Sequence, residues 1–176
     1  SSCSSLNQFR FRKNDRSSSS GEFAMTVFLV ILHALVSIAL IGAVTHQGLS
    51  VWRRPSPARV FFDRFRAVPA PGYATPIVVL FVTDFALGAY VYPAYILDVK
   101  ASLADFGFNT HIFLFQAKEH IAVIGLMLLP AYWHYWKYTT PDEFVMTRRY
   151  ITTVVMLAVW WNLVIGHLLN NVRGLM

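Results

Sequence analysis

The sequence predicts an all-α integral membrane protein, a four-helix bundle of up-down topology. Hydrophobic residues make up 56% of the 176-residue chain and charged residues 14%, against roughly 25% charge in a soluble domain. The mean hydropathy is positive, +0.47. Four windows, at about 25–49, 75–97, 111–137 and 149–172, are each long and apolar enough to cross a bilayer. The connections are short, so consecutive helices should run antiparallel. No mass remains for a separate soluble catalytic domain.

Residues 1–24 are serine-rich and basic (Arg10, Arg12, Lys13, Arg16) and have no hydrophobic period. They read as a disordered tail, a tag or leader remnant, with Met25 as the natural initiator. The transmembrane domain is then 25–176. Its first span is apolar apart from His33, Ser37, Thr45 and His46. Loop one follows with Arg53, Arg54, Arg59, Arg64 and Arg66 against Asp63, and ends at Pro69, Pro71 and Gly72. Pro76 suits the first turn of the second helix, which also holds Asp84, Gly88 and Pro93. Loop two is short and slightly acidic (Asp98, Lys100, Asp105). The third span carries Gln116, Lys118, Glu119, His120, Pro130 and His134, and closes on an interfacial aromatic cluster, Tyr132 to Tyr138. After a mildly basic loop three, the fourth span holds Asn162 and His167.

The net charge of +6 lies in the tail and loops. There it sets topology and offers no basic face for nucleic acid. The positive-inside rule places loops one and three in the cytoplasm and both termini outside, in a bacterial inner membrane or an organelle membrane. The single cysteine, Cys3, excludes an intramolecular disulfide and a thiolate metal cluster. Any cofactor in the membrane must be held by nitrogen or oxygen.

Histidine is costly in lipid and marks function there by default. His33 and His46 are 13 residues apart in the first span, and His120 and His134 are 14 apart in the third. Each pair is separated by roughly 20 Å along its helix. The first and third helices run parallel, so His33 matches His120 in the outer half, and His46 matches His134 in the inner half. Two pairs at two depths suit bis-histidine ligation of one or two haems inside the bundle. Phase is uneven. Fourteen residues leave His120 and His134 about 40° apart, whereas thirteen leave His33 and His46 about 140° apart. Pro130 adds a break between His120 and His134. The outer pair is therefore the stronger metal-binding site. His46 also reads as an ordinary interfacial residue, His111 as a helix-end residue, and His167 as a rival outer ligand.

On its four-span architecture and on His33, His46, His120 and His134, the chain resembles the membrane b-type cytochromes. The resemblance implies haem b as cofactor, electron exchange with quinone or a redox partner, and work as a subunit of a larger membrane oxidoreductase complex.

The remaining buried polar residues, Asp84, Lys118, Glu119 and Gln116, must pair or line a wet cavity. They read as a proton path or a quinone head-group site, as a structural Asp84–Lys118 ion pair, or as a carboxylate orienting a ligating histidine. Two other classes stay open. One is a haem-free metal-binding or proton- or ion-translocating protein using Asp84, Glu119 and the histidines. The other is a purely structural subunit. No Walker, Rossmann, Ser-His-Asp or HExxH signature is present.

Overall fold

The structure, a computed structural model, describes residues 3–52, 70–140 and 142–173. The basic residues expected in loop one, Arg53 to Arg66, lie outside the described residues. Four long helices carry the fold: α1 (Cys3–Trp52), α2 (Ala74–Ala94), α3 (Asn109–Lys137) and α4 (Val145–Arg173). Each contains a stretch long and apolar enough to cross a membrane: Ala24–Trp52, Ala70–Pro93 (which takes in the preceding turn), Asn109–Lys137 and Val145–Leu169. The chain is thus an all-α bundle with the character of a multi-pass membrane protein.

Sequence explains most boundaries. α1 starts at Cys3, although the polar stretch before Met25 was expected to be disordered; no proline interrupts that stretch, and the helix continues through it. A single 3-10 turn, Ala70–Tyr73, leads into α2. Pro93 has no N–H for the helical ladder, and α2 ends one residue later in a π-helical turn, Tyr95–Lys100. A short helix, Ala101–Asp105, follows. Gly107 closes it at φ +74°, with Gly107 N–H donating to Ala104 O (3.0 Å) and Phe108 N–H to Leu103 O (2.8 Å). That is a Schellman cap, and its left-handed residue favours glycine. Pro130 sits inside α3 without ending it, as membrane helices tolerate.

α1 packs on α2 and α4, and α3 packs on the same two, so α1 and α3 face each other across the bundle diagonal. The apolar core occupies one half, at the end where loops one and three emerge. Leu40 and Val44, Ile77 and Phe81, Leu129 and Tyr132, and Val155 and Val159 pack there, two from each helix. Close approach makes this possible: a Cβ on Gly125 would lie 2.7 Å from Phe81 Cζ and 3.6 Å from Ala158 Cβ. In the other half, buried apolar residues among the described residues thin to Leu103, Ile165 and Leu169. Large apolar side chains such as Leu35, Val79, Met127 and Leu157 face outward. Water would penalise that arrangement, whereas lipid accepts it.

Candidate functional site

Asp84, Lys118 and Glu119, with His33 and Ser37, gather in the loosely packed half. α1 supplies His33 and Ser37, one turn apart. Ser37 Oγ sits 2.9 Å from the His33 carbonyl and 2.5 Å from Asp84 Oδ1, bridging α1 to α2. His33 Nδ1 lies 3.2 Å from the same carboxylate oxygen, in a close contact off the hydrogen-bonding axis. Both side chains are largely enclosed, at 26% and 22% exposure. Gly88, one turn beyond Asp84, leaves room for the imidazole: a Cβ there would be 3.4 Å from His33 Cε1 and 3.8 Å from Nε2. Nδ1 thus faces the carboxylate without a hydrogen bond, and Nε2 lies beside Gly88.

α3 brings Lys118 and Glu119 to the same half. Lys118 is close enough to interact electrostatically with Glu119 and Asp84, and its stem crosses α4 at Gly166, where a Cβ would meet Lys118 Cε at 3.6 Å. Glu119 shares a hydrogen bond with the Tyr92 hydroxyl. Tyr92, Tyr95 and Phe115 stack beside it, with Tyr95 and Phe115 at 3.6 Å between centroids and 10° between planes. Lys118 Nζ lies 5.1 Å from the Phe115 centroid. Tyr95, just outside the second span, has its phenol pushed up to about 12, first by burial and then by the Glu119 charge. A polar and aromatic path therefore runs from His33 and Asp84 toward loop two. In the opposite direction lie Leu40, Phe81 and Leu129, all apolar.

The other predicted residues are placed as follows. His120 is exposed, with Nδ1 2.7 Å from the carbonyl of Gln116, itself exposed. His46 is exposed and stacks on Tyr73 at 6.1 Å. His134 is exposed against Tyr135 and Tyr138. His167 is exposed on α4. His111 packs edge-on to Phe108 at 5.3 Å. Between the inner pair, the interior is filled by a link that sequence reasoning missed. Gln47 and Tyr132, both essentially buried, meet at 2.5 Å across the diagonal, and Gln47 Nε2 donates to Ala70 O (2.9 Å). The only available signal was a glutamine inside an apolar span. Among the described residues, no three His, Cys, Asp or Glu side chains are grouped to hold a metal ion.

Of the outer pair, only His33 is enclosed in the bundle; His120 is exposed, so the two imidazoles do not close on one interior position in this arrangement. His120 Nδ1 lies against the Gln116 carbonyl and His33 Nδ1 lies close to Asp84, so Nε2 is the nitrogen each ring would offer a metal. The inner set does not suit an interior group, because His46 and His134 lie outside the filled Gln47–Tyr132 interior. No protein-family model matches the chain, and neither curated proteins nor solved structures show a match.

Proposed function

We propose that the protein is a membrane electron-transfer subunit whose centre lies in the loop-two half of the bundle. His33 and His120 hold a b-type haem there, and the centre exchanges electrons with quinone or with a partner subunit of an oxidoreductase. The observation that carries this reading is the His33 ring set against the Asp84 carboxylate, with Nε2 beside Gly88. Asp84 orients His33 and strengthens it as a donor, and Ser37 holds Asp84 in turn. The haem supplies one-electron chemistry. Lys118, Glu119 and Tyr92 offer hydrogen-bond partners to a quinone head group arriving from the loop-two side. Loops one and three face the cytoplasm in this reading, as their basic residues direct.

A haem-free proton- or ion-translocating protein is the second reading, favoured by three ionisable side chains, Asp84, Lys118 and Glu119, within the spans. Translocation needs access from both sides, and the apolar packing around Leu40, Phe81 and Leu129 counts against it. A reduced-minus-oxidised optical spectrum of the purified protein separates the two. The expected result is a b-type α band, lost in His33→Ala and His120→Ala and kept in His111→Ala. A spectrum without that band overturns the haem reading and leaves the haem-free classes, a metal-binding or translocating protein and a structural subunit.

A further inference from the structure

We propose that the loop-one and loop-three end of the bundle binds the phosphate of an anionic phospholipid at Arg149. A cavity of about 200 Å³ lies there, lined by Val51, Ala70, Trp136, Val145, Arg148 and Arg149. The two arginines have different tasks. Arg148 is buried and committed to the protein: Nε donates to Tyr135 O (2.7 Å), and Nη2 donates to the carbonyls of Thr139 and Thr140. It satisfies the carbonyls that the end of α3 leaves unpaired.

Arg149 is only half-buried and less occupied. Its Nε donates to Val51 O at 2.9 Å, and its guanidinium lies 5.5 Å over the Trp52 ring. Among the described residues, Nη1 has only the Met146 sulfur, a weak acceptor, at 3.9 Å. Among the described residues no carboxylate forms an ion pair with it. A guanidinium fixed in place with spare N–H donors matches a phosphate's oxygens. The cavity also borders the first turn of α4, where the helix dipole favours an anion.

The surroundings favour a lipid over a free ion. Trp52 and Trp136 hold their indole N–H groups on Thr153 and Thr152 of α4, at 2.7 and 3.0 Å. Tryptophan so placed at a span's end marks the membrane interface. Phe144, Val145, Met146 and Tyr150 expose apolar surface beside the cavity, where acyl chains can lie. In the orientation of the proposed function, on which this point rests, the end bearing the basic loops also meets the anionic cytoplasmic leaflet.

The test uses the purified full-length chain in detergent, with phosphatidylglycerol, phosphatidylcholine or inorganic phosphate added separately. Phosphatidylglycerol should raise the unfolding temperature and remain bound in native mass spectrometry, and the other two should do neither. Arg149→Gln should lower phosphatidylglycerol retention about fivefold, the value of one interfacial cation, and should shrink the rise in unfolding temperature that phosphatidylglycerol gives over the variant's own lipid-free value, which itself falls with loss of the Val51 bond. If that variant does not fold, Val145→Glu provides the same test by placing a carboxylate at the cavity rim. Equal effects from phosphatidylcholine or from phosphate alone overturn the proposal. So does full retention in the variant tested.

Discussion

At the scale of single residues, enclosed polar groups in this bundle are used in linked sets, and the links show which half does what. Gln47 and Tyr132 satisfy each other and Ala70 O in the packed half. Removing one partner leaves the other buried and unpaired, so Tyr132→Phe should lower stability by about 1–3 kcal/mol. Gln47→Leu combined with Tyr132→Phe should cost less than the two single changes summed. Thermal unfolding in detergent of the four proteins of this cycle gives the coupling directly. His33, Asp84 and Lys118 were legible as costly residues in apolar spans. Their grouping was less so. Sequence allowed Asp84 either a lysine or a histidine partner, and the choice depends on rotation about the helix axes. Gly88 shows why: it borders the His33 ring across the α1–α2 contact, which no periodicity of the glycine announces.

At the scale of elements, the four spans were readable because length and hydropathy alone define them. Their ends were less readable, since side chains from the next helix decide them. α4 begins at Val145 where the apolar window suggested 149, because Arg148 and Arg149 are helical and reach back to carbonyls of α3 and α1. A charged pair looks like loop in a hydropathy profile, yet here it joins three helices. Arg148→Ala removes several bonds to the α3 end, each charge-assisted bond being worth roughly 1.5–3 kcal/mol. The variant should therefore lose stability by at least about 2 kcal/mol, with the α3–α4 connection opening first. Hydrogen exchange at residues 135–150 would show this as early loss of protection, whereas uniform loss along all four helices would contradict it. The second span shows the reverse case. Pro93 was visible in sequence, but the π-helical turn after it was not, and α2 ends at Ala94 where the window ran to 97.

At the scale of the whole molecule, the up-down order was predictable from short connections, whereas the cyclic packing that puts α1 and α3 on a diagonal is decided by contacts between helices. The histidine ladder looked symmetrical in sequence because depth is all that spacing conveys. The packed bundle is asymmetrical. It fills one half with apolar side chains and the Gln47–Tyr132 link, which leaves His46 and His134 outside, and it gathers His33, Asp84, Lys118 and Glu119 in the other. The central claim is that the redox centre lies in that second half, with Asp84 acting through His33. Spectroelectrochemical titration of the α band tests it most directly, in the wild-type protein, in Asp84→Asn and in the double variant His46→Ala, His134→Ala. Replacing the carboxylate makes His33 a weaker donor to the oxidised iron. The midpoint potential should therefore rise, on the order of 60 mV, the one-electron equivalent of a tenfold change, while the double variant keeps both band and potential. An unmoved potential in Asp84→Asn, or loss of the band in the double variant, would contradict the account.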